Sequence, residues 1–363
     1  MRHPPVMLLD AIAEFQGGLI TDPLSTSVLE PRVTTEISRD NVIRFQTPSP
    51  WRGRWQLVNS FVPYLLLWVA MTYALTVSYW LVLPLAILAA GFMARIFIIF
   101  HDCGHGSFFR SKRANHVTGI IAGLLNLTPY RHWRWQHAIH HGTSGDLDRR
   151  GSGDIWTLTV QEYLESNRWR RVAYRLARNP VVLFVIAPLY VFVVHNRFAS
   201  AGAPPRERMS VRRTNLALLA GTLIMSAVMG LRAFLLIQLT VSAFAASLGV
   251  WLFYVQHQFE GAYWARSKDW DHTNAALRGS SYYKLPKILQ WFTGNIGFHH
   301  IHHLSPRIAN YHLEHCHRAD PYFKRIKPVT LVASFRSLTY RLWDEQRQRF
   351  VGFRHLKTRP MSI

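Results

Sequence analysis

Three sets of histidines in this sequence are spaced to share one face of a helix: His101 and His105; His137, His140 and His141; and His299, His302 and His303. Residues three and four apart stand above one another on a helix, so each set aims its rings one way. Neutral imidazole ligates iron, zinc and copper. A single such pair is common on protein surfaces, whereas three sets with eight rings point to a metal centre. Eight donors exceed the roughly four to six positions of one ion and suit two. Catalytic zinc sites use three protein ligands and water. Two irons with open positions, by contrast, can activate O2 and take hydrogen from an unactivated C–H bond. None of the sets has the Glu-x-x-His pattern of carboxylate-bridged bundle proteins.

A ninth ligand candidate is His257, in the run Tyr254–Glu260 (YVQHQFE) at the end of an apolar stretch. Asp102 and Asp154 are placed to orient ligand imidazoles through the far ring nitrogen, and His300 is a further candidate for such a supporting role. No general base is expected, because a metal–oxygen centre removes the hydrogen itself. Cys103 and Cys316 are too few for a disulfide framework or a cysteine-based zinc site.

The elements that must position these rings are apolar. Four stretches are long enough to span a bilayer of about 30 Å, which takes roughly 20 helical residues: Phe61–Tyr79, Val82–Phe100, Thr214–Gly230 and Ala233–Val255. The short breaks within each pair predict two helical hairpins. Arg95 is the one charge inside them, near enough to its helix end to snorkel. Val117–Tyr130 and Val181–Val194, the latter with Pro188, are shorter and predict interfacial or re-entrant segments. Val6–Phe15 reads as a short amphipathic helix, and Trp51 and Trp55 as an interfacial anchor. We find no signal-peptide pattern. Residues 1–57 form an N-terminal segment, and 58–363 a single membrane domain.

The chain carries 42 Lys and Arg against 20 Asp and Glu, a net charge of +22, yet its mean hydropathy is slightly positive at +0.02. That combination argues against a soluble nucleic-acid binder. With two hairpins, all the basic residues but Arg95 and Arg232 fall on one side. The positive-inside rule places that side, with both termini, in the cytoplasm; the basic run Arg168–Arg178 suits anionic headgroups. An even number of crossings separates the histidine sets, so all eight rings share the cytoplasmic face. A full crossing by Val181–Val194 would strand the third set. The expected architecture is an all-α integral membrane protein of four transmembrane helices with a cytoplasmic helical cap holding a histidine-rich di-iron site. A site fed from the bilayer takes a lipid acyl chain as its natural substrate.

The three sets, in this order, resemble the HxxxH, HxxHH and HxxHH signature of the membrane fatty acid desaturase family. The runs His101–Phe109 (HDCGHGSFF), Gly151–Trp156 (GSGDIW), Gly249–His257 (GVWLFYVQH) and Gly294–Pro306 (GNIGFHHIHHLSP) are similar to bacterial acyl-lipid desaturases of the Δ5/Δ12 type. The likeness extends from about residue 40 to the C-terminus. It implies a di-iron centre held by the eight box histidines and His257, O2 as oxidant, and two electrons per turnover from a separate ferredoxin or flavodoxin. An acidic carrier suits the basic face. Related acyl-CoA desaturases hold a water-bridging Asn one turn before the ninth histidine; here that position is Phe253, and Asn295 is the candidate substitute. The resemblance implies a cis double bond introduced into membrane-lipid acyl chains, at a bacterial inner membrane. A di-iron hydroxylase or ketolase on an acyl, carotenoid or sterol substrate shares the boxes. A metal transporter is the remote alternative, disfavoured because the histidines cluster past the ends of the spans rather than at mid-depth.

Overall fold

A computed structural model describes residues 37–151 and 153–357; the expected helix Val6–Phe15 lies outside them. The described chain is mostly helical. Among the described residues three helices are long and apolar enough to cross a membrane: α2 (Pro50–Val77), α3 (Tyr79–His105) and α9 (Leu231–His257). A short α1 (Arg39–Ile43) precedes them. Ser78 alone separates α2 from α3. Its hydroxyl accepts from the Trp80 backbone N–H and starts the second helix as the first ends.

α3 is the central element. Its Val82, Ala86, Ala89, Ala90 and Met93 are all buried against α2 and α9. Small residues at helix contacts let backbones approach closely in an apolar surround. The helix overruns the expected span at both ends, and its last turn is the first histidine set itself. Likewise His257 is the final residue of α9. His101, His105 and His257 are therefore carried on the ends of long helices rather than on connecting loops.

The third expected span, Thr214–Gly230, behaves differently. It is helical to Met229 within α8 (Pro205–Met229), with Gly230 as the cap, but basic residues at Arg206, Arg208, Arg212 and Arg213 fill the first turns of that helix, and it is not among the three apolar helices. Residues 117–130 divide between α4 (Lys112–Leu125) and the start of α5 (Tyr130–Thr143). α4 leaves Val117, Ile120 and Ile121 exposed and packs its glycine face inward. After α6 (Val160–Glu165) and α7 (Arg168–Ala177), residues Val182–Arg197 wind through π, α and 3-10 turns around Pro188, bent 61° from α7.

Beyond α9 come α10 (His272–Gly279), α11 (Lys287–Phe292), α12 (His299–Leu304), α13 (Asn310–Ala319) and α14 (Pro321–Arg325). Among the described residues two small sheets depart from the all-helical expectation. β1 (Tyr283–Lys284) pairs in parallel with β2 (Val329–Thr330), and β3 (Leu342–Asp344) pairs antiparallel with β4 (Arg349–Val351).

Arg95 does not snorkel. It is 7% exposed, donates from its Nη1 to the Trp291 carbonyl, and lies 4.0 Å from the Trp291 ring centroid. The side chain has turned inward because the last turn of α11 presents there a carbonyl that can take a second donor beside the Gly294 N–H, with an aromatic face next to it. Around this contact Gly91 abuts the Phe292 ring, and Gly294 (φ 52°) lies against Ile98. Trp51 and Trp55 are 73% and 56% exposed.

Candidate metal centre

Each histidine set lies on a helix, as its spacing requires: the first on α3, the second on α5, the third on α12. The rings gather into two groups. His101, His105, His137, His141 and His302 form one, and His140, His257 and His303 the other, with the ligand atoms of each within 4.8 Å of one another. His299 joins the second group, its Nε2 lying 3.0 Å from that of His257 and 3.1 Å from that of His303. All nine expected ligands are thus brought together.

The histidine doublets divide between the groups. His140 and His303 enter one, while their neighbours His141 and His302 enter the other. Successive helical residues point about 100° apart, so a doublet reaches two adjacent centres from one backbone. The His141 and His303 rings stack at 4.2 Å where the groups meet.

These contacts are not ordinary hydrogen bonding. The Nε2 atoms of His140 and His257 are 3.2 Å apart, those of His137 and His141 3.1 Å, and those of His141 and His302 3.1 Å. A neutral imidazole has one N–H and one lone pair. His257, His299 and His141 each face two other Nε2 atoms, and one proton cannot serve such a cluster. Four nitrogens at about 2.0–2.1 Å from a single ion would stand roughly 3.3 Å apart, and closer in higher coordination. The spacing and all-imidazole donor set fit metal ions, and the buried, unbonded Nε2 of His105 supplies a further donor. Burial, and then the neighbouring imidazoles, hold His137, His141, His299, His302 and His303 well below the usual imidazole range. That keeps them neutral and ready to bind a cation.

Two carboxylates hold rings from behind. Asp102 Oδ1 lies 3.1 Å from His101 Nδ1, and Asp154 Oδ1 lies 3.1 Å from His140 Nδ1. One supports each group, fixing the tautomer that leaves Nε2 facing inward. The other two supporting candidates stand apart. Asn295 (φ 58°) donates to the Asn310 carbonyl at 3.3 Å and accepts from Gln290 Nε2 at 3.0 Å. His300 points into the apolar cluster behind α12, beside Tyr282, His317 and Phe323. Burial and His317 press its pKa down to about 3. Phe253 faces the second group, with ring centroids 5.3 Å from His140 and 5.1 Å from His257.

Three supports escape sequence reasoning. Trp133 stacks on His137 at 4.3 Å; its position one turn earlier on the same face was a usable signal. Ser144 Oγ lies 3.4 Å from His257 Nδ1, and Asn310 anchors Asp102. Neither shows a local pattern, because each meets its partner only through tertiary packing.

Comparison with known proteins accords with this geometry. Residues 78–329 match the family model described as fatty acid desaturase. A fatty acid desaturase of Bacillus subtilis (strain 168) is 48% identical over 322 residues, covering 89% of this chain and 92% of the relative. A Sorghum bicolor protein named a probable fatty acid desaturase is 31% identical over 73% of the chain and 69% of its own length. The sn-1 acyl-lipid omega-3 desaturase (ferredoxin) of Synechocystis sp. is 26% identical over 64% of each.

Proposed function

The chain belongs to the fatty acid desaturase family, and from that premise we propose that it is an O2-dependent di-iron enzyme placing a cis double bond in the acyl chains of membrane lipids. The observation that carries the reading is the pairing of two imidazole groups at Nε2 spacings of 3.0–3.2 Å. One iron is assigned to His101, His105, His137, His141 and His302. The other is assigned to His140, His257, His299 and His303, with Asp102 and Asp154 orienting one ring in each set.

Iron bound there supplies O2 activation and hydrogen abstraction from an unactivated C–H bond. The protein's own part is to hold nine rings in fixed directions and to keep bulk water from the buried second group. Removing two hydrogens from –CH2–CH2– while reducing O2 to two waters leaves a shortfall of two electrons and two protons. A separate carrier supplies the electrons, and solvent the protons. The relative named as using ferredoxin supports that class of carrier.

In this reading residues 58–363 form one membrane domain. α8 completes the four spans, pairing with α9 as α2 pairs with α3, and α4 and residues 182–197 stay interfacial or re-entrant. The histidines then lie on one side of the bilayer, under a cap made by α5 and α10–α14. The basic balance assigns that side, with both termini, to the cytoplasm of a bacterial inner membrane.

The test is expression of wild type and His302→Ala in a bacterium lacking polyunsaturated lipids, with GC–MS on derivatives that locate double bonds. A new unsaturated chain confined to wild type is the expected result. A hydroxylated chain instead refutes desaturation while retaining the site; ion uptake without a lipid product refutes the enzyme reading.

A further inference from the structure

We propose that the electron carrier docks on the exposed flank of α5, over Gly106, Ala138 and Gly142, and is held by a basic rim centred on Arg131 and Arg134. The inference rests on the reading of the protein as an electron-requiring desaturase and adds where the electrons enter.

The two imidazole groups differ in access. His140, His257, His299 and His303 are all buried, whereas His105, His137 and His141 of the other group are partly exposed as residues, with ring nitrogens such as His105 Nε2 and His141 Nδ1 still covered. Electrons from a protein carrier need a short path, and the accessible group offers it. Above those three rings the surface is low. Gly106 follows His105 and Gly142 follows His141; both are exposed, and a Cβ added at either would meet nothing within 4 Å. Gly106 has φ 71° and serves as the αL cap of α3. Gly142 lies inside α5, where its conformation demands no glycine. With exposed Ala138 one turn before it, the flank keeps side-chain bulk off the approach to the rings.

The part of the rim on α4 and α5 carries charge of one sign. Arg134 is exposed and stands three residues before His137 and seven before His141, on the same stripe of α5. Arg131 is exposed one turn earlier, where its backbone N–H donates to Ser210 Oγ of α8 at 3.2 Å. Arg110, Lys112 and Arg113 are exposed at the start of α4. No Asp or Glu occurs between residues 103 and 145. The partner that fits is a small acidic one-electron protein such as a plant-type ferredoxin. Complementary charge speeds and orients encounter, and that contribution falls with ionic strength.

The test uses full-length, iron-loaded protein in nanodiscs, as wild type and as the Arg131→Glu/Arg134→Glu variant. Binding of oxidised plant-type ferredoxin is measured directly, and turnover is driven either by reduced ferredoxin or by dithionite with methyl viologen. The expected result is that the variant needs about tenfold more ferredoxin for half-maximal binding and turnover, while dithionite-driven turnover is unchanged. Wild-type binding should also weaken as salt rises. Equal ferredoxin affinity in both proteins overturns the proposal, as does an equal loss of turnover with both reductants. A defect that follows the anionic-lipid content of the nanodisc, with ferredoxin binding intact, assigns the rim to headgroups and also overturns it. Absence of unsaturated product from wild type with either reductant counts against the desaturase reading, and the binding arm still decides the docking surface.

Discussion

Asn310 donates both its backbone N–H (2.6 Å) and its side-chain amide (2.9 Å) to Oδ2 of Asp102, a residue 208 positions earlier. The other oxygen of the same buried carboxylate lies 3.1 Å from His101 Nδ1. The start of α13 thereby fixes the carboxylate that orients a ring on α3, tying the first histidine set to the segment that follows the third. Replacing Asp102 by Asn keeps the shape but puts an N–H donor or a weaker acceptor where three donors converge. Iron affinity or turnover should fall about 10–100-fold. Metal analysis after gel filtration, alongside product assay, checks this; full iron content and normal turnover would remove Asp102 from the support of His101.

The split of the doublets makes a contrast between neighbours. His140→Ala and His141→Ala each abolish product, but they open different groups. His140→Ala should spare the five-histidine group, and His141→Ala the other. Iron stoichiometry and Mössbauer spectra of the two variants should therefore differ, with each retaining a distinct iron environment. Identical spectra would mean the two groups are not separate sites.

His300 is the counter-case inside the third set. Among the described residues its ring nitrogens meet no side-chain hydrogen-bond partner and at most a weak contact with the Ser281 backbone, and the ring faces aromatic side chains rather than the clustered Nε2 atoms. Exchanging a poorly satisfied buried polar group for an apolar one is close to neutral or stabilising. His300→Leu should keep its iron, its turnover and its stability to within about 1 kcal/mol. Loss of iron in this variant would place His300 at the centre after all.

Gly119→Ala offers a packing test. In most helices this change stabilises, but a Cβ here would stand 2.2 Å from the Tyr130 ring. The Tyr130 hydroxyl donates to the Cys103 carbonyl at 2.6 Å, within the first histidine set. Overpacking of this kind costs about 1–3 kcal/mol, and the displaced tyrosine releases its hold on α3. A lowered thermal midpoint in detergent with reduced turnover is expected; an unchanged or raised midpoint would show that α4 can shift freely.

Arg95→Leu removes the charged donor to the Trp291 carbonyl, which then keeps only the Gly294 backbone N–H at 3.1 Å, and removes the cation beside the indole. The cost should be about 1–3 kcal/mol, read as a lower thermal midpoint. Arg95→Lys, which keeps a donor and a cation over the indole, should recover part of it. Equal midpoints for Leu and wild type would mean the contact contributes nothing to stability.

Spacing made much of this protein legible. A three-and-four repeat of histidine can only be one helical face, so the three sets and their elements followed from local geometry. Long apolar runs gave α2, α3 and α9 for the same reason, since each residue's own hydropathy decides its fit to lipid. The limits lay where partners are distant in sequence. Arg95 looked free to snorkel because nothing near it announces that the end of α11 would arrive beside it. Asn295 and His300 lie among the ligands in sequence yet face other networks. Asn310 carried no signal, although it holds a carboxylate behind a ligand ring.

The sequence by itself determined which side chains can bind metal, which helices carry them, and the apolar character of the elements that hold them. Tertiary structure alone decided the partition into groups of five and four, the split of each doublet, and which rings stay reachable from outside. The reason is physical: ligand type and helical phase are local properties. Convergence of Nε2 atoms to about 3 Å depends on how α3, α5, α9 and α12 cross, and that is set by contacts between residues from about 30 to more than 200 positions apart.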